Sequence, residues 1–177
     1  MPPPHLSPDA ERHVAALARE ISATSSLGQA LSTAVDAATA LLRADFGNIQ
    51  LYRAGILTIA VHRGLSQNFL ERFGRVAADD DCACGRAMRE GRATIIPDVA
   101  LDRAFAPFRD IAAETGFRAV QSTPLITTNG LFVGMMSTHF RRPHAPTDEE
   151  MAVLGVYAGA VADTIQRFVA EKMLASA

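Results

Sequence analysis

The stretch Ala119-Val-Gln-Ser-Thr-Pro-Leu-Ile-Thr-Thr-Asn-Gly-Leu-Phe-Val-Gly-Met-Met-Ser-Thr-His-Phe140 decides the fold. It reads as two strands around an Asn129-Gly130 turn, because a tight hairpin needs positive φ at its corner and Asn-Gly supplies it. Thr147-Asp-Glu-Glu150 follows and is a capping box. The Thr147 hydroxyl takes an orphan amide of a helix start while Glu150 reaches back. A long amphipathic helix then runs nearly to the C-terminus.

Working outward toward the N-terminus, Phe46 to Tyr52 and Ile56 to Arg63 form a second hairpin with Arg53-Ala54-Gly55 as the turn. Leu57, Ile59 and Val61 alternate with Thr58, Ala60 and His62, so one strand face is the more buried. Ser66 to Phe73 is a short helix. Cys84 to Glu90 is another, ended by Gly91. Thr94-Ile95-Ile96 is a short strand, and Phe108 to Thr115 a last short helix closed by Gly116. At the start, Ser7-Pro8-Asp9 offers an N-cap, a proline at the first helical position and an early acid. Val14, Leu17 and Ile21 recur at helical spacing until Thr24-Ser25-Ser26 interrupts. A second helix then carries Leu27, Leu31, Ala34, Ala38, Leu41 and Leu42 on one face. The mixture is α+β, an antiparallel sheet with terminal helices on one face and short helices on the other.

Composition narrows the function classes. The chain has 177 residues, 49% hydrophobic, with a net charge of −2. That length suits one domain with a substantial core. The charge gives no electrostatic case for nucleic acid, and basic residues are scattered. No apolar run reaches membrane-spanning length, and Met-Pro-Pro-Pro-His lacks the regions of a signal peptide. Cys82 and Cys84 are too close for an ordinary structural bridge, and two cysteines cannot staple a secreted fold. These features place the protein in the cytoplasm, away from membranes.

Arg-Ala-Val-Gln-Ser-Thr-Pro-Leu (118–125) and Gly-Met-Met-Ser-Thr-His-Phe (134–140), feeding a capped terminal helix, resemble the end of a GAF domain of bacterial signalling proteins. The resemblance spans most of residues 27–172. It implies a PAS-like sheet of about six strands. Residues 1–26 then form an N-terminal arm helix, and 27–177 the domain with its C-terminal helix. It also implies a stand-alone, non-catalytic sensory or regulatory module. Such a module binds a small molecule and signals through its terminal helices to a separate kinase or other output protein, since no kinase signature is present. The cofactor is unknown. Along the terminal helix, Met151, Leu154, Ala158, Val161, Ile165 and Phe168 step by three and four, a coiled-coil-like seam of little more than two heptads. Val153, Val156 and Ala160 widen it, which points to a homodimer of terminal helices; the simpler reading packs this face on the sheet.

In GAF domains the pocket lies between the sheet and the short helices. The polar and aromatic candidates to line it are Asp98, Asp102, Phe105, Phe108, Arg118, Gln121, Ser122, Ser137 and His139. Each has a structural alternative: Asp98 and Asp102 cap turns, Phe105 and Phe108 are core, and Arg118 pairs with an acid. Gln121, Ser122, Ser137 and His139 make neighbouring strands unusually polar, so a ligand, water or one another must satisfy them. The strand register leaves the face of His139 open.

Cys82-Ala-Cys84 opens a helix, whose N-terminus favours a thiolate, but Asp79, Asp80 and Asp81 oppose it. Zinc needs four ligands and no second cysteine pair exists, so no metal is expected. The plain reading has Cys84 packing as a small residue; the alternative is redox chemistry at Cys82 and Cys84. Cys84-Gly-x-Ala resembles a segment of the GAF-type free methionine-(R)-sulfoxide reductases. In those the attacking thiol lies in the loop after Asp98-Val99, and here that loop, residues 100–108, has none. The Asn-Lys-x-Phe-Asp-Glu signature of cyclic-nucleotide-binding GAF domains and the Cys-His pair of bilin-binding ones are absent. No catalytic residue is expected. A scaffold or dimerisation role without ligand, and a reductase-type enzyme, are the alternatives.

Overall fold

The computed structural model describes residues 5–177. Helix α1 (Pro8–Ser22) starts at Ser7, whose hydroxyl accepts from the Ala10 amide. Helix α2 (Leu27–Leu42) is capped in the same way by Ser26. Strands β1 (Phe46–Arg53) and β2 (Ile56–Arg63) are joined by Ala54 and Gly55, with φ of 49° and 85°. Positive φ at both corners marks the type I′ turn that matches strand twist.

Helix α3 (Gln67–Arg72), helix α4 (Ala83–Glu90), strand β3 (Thr94–Ile96) and helix α5 (Arg109–Thr115) form the middle of the chain. Gly91 and Gly116 end α4 and α5 in the left-handed conformation. Strands β4 (Ala119–Ile126) and β5 (Phe132–Phe140) form the decisive hairpin, and helix α6 (Asp148–Ala175) follows behind both halves of the capping box. At the β4–β5 corner only Gly130 has positive φ, 86°. Its amide donates to the Thr127 carbonyl. The connection is therefore a three-residue loop, with Thr128 and Asn129 at the corner of the turn and Gly130 in positive φ directly after it.

Among the described residues the sheet has five antiparallel strands in the order β2-β1-β5-β4-β3. The expectation of about six is corrected to five. Beside β2 a further strand shrinks to a single bridge between Leu57 and Val76. The chain turns away at once, where Asp80 accepts from the Ala77 amide at 2.8 Å.

Strand alternation sends side chains to two layers. Ile49, Ala119, Leu125, Met136 and Phe140 meet α1, α2 and α6. Phe46, Val120 and Met135 meet α3, α4, α5 and the loops between them, with Phe69, Phe73, Phe105, Phe108 and Phe117. The second layer carries most of the phenylalanines and both thiols, and the site lies there.

The terminal-helix seam goes to the first layer. Leu154, Ala158, Val161 and Ile165 are buried within the protomer, and Met151 and Phe168 pack against the same core. A face that looked available to a partner covers its own sheet, because α1, α2 and the sheet surround it.

Candidate functional site

The centre of the sheet has a polar stripe facing the second layer. Asn48 and Gln50 come from β1, Ser122 from β4, and Ser137 and His139 from β5. Pairing brings them together: Asn48 opposes Ser137, and Ser137 opposes Ser122. Above them lies a cavity of about 20 Å³, walled by Phe69, Phe73, Phe105, Phe117, Val120, Ala83 and the two cysteines. That volume holds about one water molecule.

The polar groups are unevenly satisfied. The Ser122 and Ser137 hydroxyls bond each other at 2.7 Å. Asn48 Oδ1, Gln50 Oε1 and His139 Nδ1 are buried and find no hydrogen-bond partner among the described residues. Leaving such a group unpaired costs about 1–3 kcal/mol, so three on one small cavity mark a place where a guest is favoured. The His139 ring stands edge-on to Phe117 and Phe69, with centroids 4.7 and 5.3 Å away. Burial lowers its pKa to about 3, so the imidazole is neutral.

The thiols close the cavity from α4. Cys82 is the N-cap, and its sulfur lies 3.4 Å from that of Cys84. The bond from Cys84 lowers the Cys82 pKa, against the effect of burial. The same bond and burial raise Cys84 well above an ordinary thiol. Of the two thiols Cys82 is therefore the more acidic, and Cys84 the one that holds its proton. Gly85 makes this placement possible: a Cβ there would lie 2.1 Å from the Asp80 carbonyl oxygen, so only glycine lets the first turn of α4 sit against that loop.

The sequence candidates divide cleanly. Phe105, Ser122, Ser137, His139, Cys82 and Cys84 line the cavity. Phe108 is buried behind Phe105 and Phe73, at 5.4 Å from each, as core. Gln121 points to the opposite layer, donating to Thr138 Oγ1 at 3.0 Å and accepting from Thr123 at 2.7 Å. Asp98 accepts two guanidinium nitrogens of Arg118 and the Ala100 amide, so that pair braces a turn outside the cavity. Arg118 holds the Asp98 carboxyl below its ordinary pKa. Asp102 takes both ends of the Arg86 fork at 3.0 and 2.6 Å and caps the Phe105 amide at 2.9 Å. Arg86 likewise holds its carboxyl low. This clamp ties α4, with the thiols, to the loop that carries Phe105.

Sequence reasoning missed Asn48, Gln50, Phe69, Phe73 and Phe117. Asn48 and Gln50 did carry a signal, two polar residues on one face of a strand that is otherwise apolar. The phenylalanines, two at α3 and one before β4, converge only through the fold. Among the described residues no group of three metal-ligating side chains forms, and no helix is long and apolar enough to cross a membrane.

Comparisons with known proteins agree with this architecture. A GAF domain model matches residues 24–166. No curated protein matches. The GAF domain of a phosphoenolpyruvate-protein phosphotransferase from Coxiella burnetii is similar, with 18% identity, a TM-score of 0.77, and coverage of 93% of this chain and 96% of that one. A bacteriophytochrome from R. palustris is similar over 97% of this chain and 40% of its own, with 16% identity and a TM-score of 0.70. Free methionine-R-sulfoxide reductase from Neisseria meningitidis, solved with its substrate, has 14% identity, a TM-score of 0.74, and coverage of 94% and 97%. At such identities the structures speak for the fold alone. With the family model covering most of its length, the chain belongs to the GAF domain family.

Proposed function

We propose that this protein is a non-catalytic sensory module of the bacterial cytoplasm that binds a small molecule between its sheet and the α3–α5 layer. The change passes through α1 and α6 to a separate output protein. The observation that carries this reading is the trio Asn48 Oδ1, Gln50 Oε1 and His139 Nδ1, unpartnered on one cavity at the centre of the sheet. Core positions filled this way are unfavourable for a purely structural domain and suit a binding site. Native mass spectrometry of freshly purified protein against its denatured mass tests the reading. A reproducible excess mass lost on denaturation supports a ligand.

A bare dimer mass favours the second reading, a helix-mediated scaffold, for which the small volume of the cavity speaks. Turnover of free methionine-(R)-sulfoxide with a thiol reductant would overturn the non-catalytic assignment. The lack of a thiol in residues 100–108 argues against that outcome.

A further inference from the structure

We propose that the cavity admits hydrogen peroxide, which oxidises the Cys82–Cys84 pair to a disulfide. This names the chemistry of the same site, and its signalling consequence rests on the sensor reading given above. Two independent features converge. The first is the thiol pair itself, 3.4 Å apart on one wall. The second is the opposite wall, where the carbonyl oxygens of Asn48 and Gln50 and the Nδ1 of His139 have no hydrogen-bond partner among the described residues. A guest that suits these walls donates hydrogen bonds, carries no charge and is little larger than water, given about 20 Å³ and the surrounding phenyl rings. Hydrogen peroxide has two O–H donors and an electrophilic oxygen. Water matches the donors but not the thiol chemistry. Organic hydroperoxides are too bulky for the rings of Phe69, Phe73, Phe105 and Phe117.

The roles of the two sulfurs follow from their bond. Cys82, whose pKa is lowered, is the nucleophile, and Cys84 keeps its proton. The Cys82 thiolate attacks one peroxide oxygen, an S–O bond forms and the O–O bond breaks. The departing hydroxide is neutralised by the proton that Cys82 released on ionising. Cys84 sulfur then attacks the sulfenic Cys82 sulfur. The S–S bond forms, the S–O bond breaks, and the leaving hydroxide takes the Cys84 proton as water. The dithiol gives up two electrons and the peroxide accepts them. His139, neutral because it is buried, positions the peroxide rather than protonating it. Because Cys82 is the N-cap of α4 and Arg86 of that helix holds Asp102, the change reaches the loop of Phe105.

The test uses the full chain, reduced and freed of thiols, treated with hydrogen peroxide and quenched with N-ethylmaleimide for denatured mass analysis. We expect both alkylation sites to be lost together, with a mass two hydrogens below the reduced chain. The reaction should run severalfold faster folded than in urea, and severalfold faster than with tert-butyl hydroperoxide. In C84S, Cys82 should stop at the sulfenic acid and take one dimedone adduct; in C82S, dimedone should find nothing. If a variant misfolds, the wild-type comparison between folded and urea-treated protein still decides. Oxidation no faster when folded, or oxygen addition without a disulfide, overturns the inference. Failure of the sensor reading looks different: the disulfide forms, but hydrogen exchange in α1 and α6 is the same before and after. A small molecule in the native mass with thiols inert to peroxide keeps the sensor and overturns this chemistry.

Discussion

His139 shows how much one residue's setting differs from what its type suggests. Its ring sits between Phe69 and Phe117 on the central strand, and burial brings its pKa to about 3 from an ordinary value near 6.5. The unfolded chain therefore takes up a proton before the native one does. Stability present above pH 6.5 is lost as pH falls toward 3, by about 1.4 kcal/mol per unit. Between pH 7.5 and 5 the loss from this residue is about 2 kcal/mol. Urea denaturation at those two pH values should show it, and His139→Gln should remove it. The variant keeps Cys82 and Cys84, the other titratable groups on the cavity wall, so their contribution cancels. An unchanged pH dependence in H139Q would place the ring in contact with solvent. From sequence, His139 was visible as one of the residues that make two neighbouring strands unusually polar, while its face was not. Register decides that face, and β5 takes its register from β1, some 90 residues away in the chain.

At the scale of elements, local signals were read well and long-range ones poorly. The capping box at Thr147, the cap at Ser7, and the glycines after α4 and α5 act within one turn of helix, so adjacent residues suffice to specify them. The α6 seam needed knowledge of which surface comes to meet it. Steps of three and four fit a partner helix and a protomer's own sheet equally well. One contact of α6 had no sequence signature at all. Asp163 accepts from the Thr128 amide at 2.8 Å and from its hydroxyl at 2.6 Å, fastening the tip of the β4–β5 hairpin to the helix. The latch is exposed, so its global worth is about 1 kcal/mol or less. Its local effect is larger. Asp163→Ala should leave the urea midpoint nearly unchanged while hydrogen exchange at Thr127 to Leu131 accelerates. Equal protection of that loop in wild type and D163A would show that the turn holds itself.

For the molecule as a whole, α6 still has a free face, and it differs from the seam. Val156 is 53% exposed, and Gly155 and Gly159 beside it leave open space where side chains would stand. Those glycines, with Pro124 and Ile126 of β4 and Met151, border a groove of about 330 Å³. Val169, Met173 and Leu174 extend the apolar surface along the last turns, at 46, 70 and 77% exposure. Water is a poor neighbour for this much grouped apolar area. Small residues also let two backbones approach closely. If the protein pairs, the pairing surface is therefore Gly155, Val156 and Gly159 with the C-terminal turns, and not Leu154 and Ala158, which are already buried. Val156→Glu should shift a dimer to monomer in sedimentation velocity while the chain stays folded by circular dichroism, because the side chain supports nothing inside the protomer. Leu154→Glu should unfold the chain instead. A wild-type protein that sediments as a monomer at all concentrations would remove helix pairing as the route of output, leaving changes within a single protomer to carry the signal.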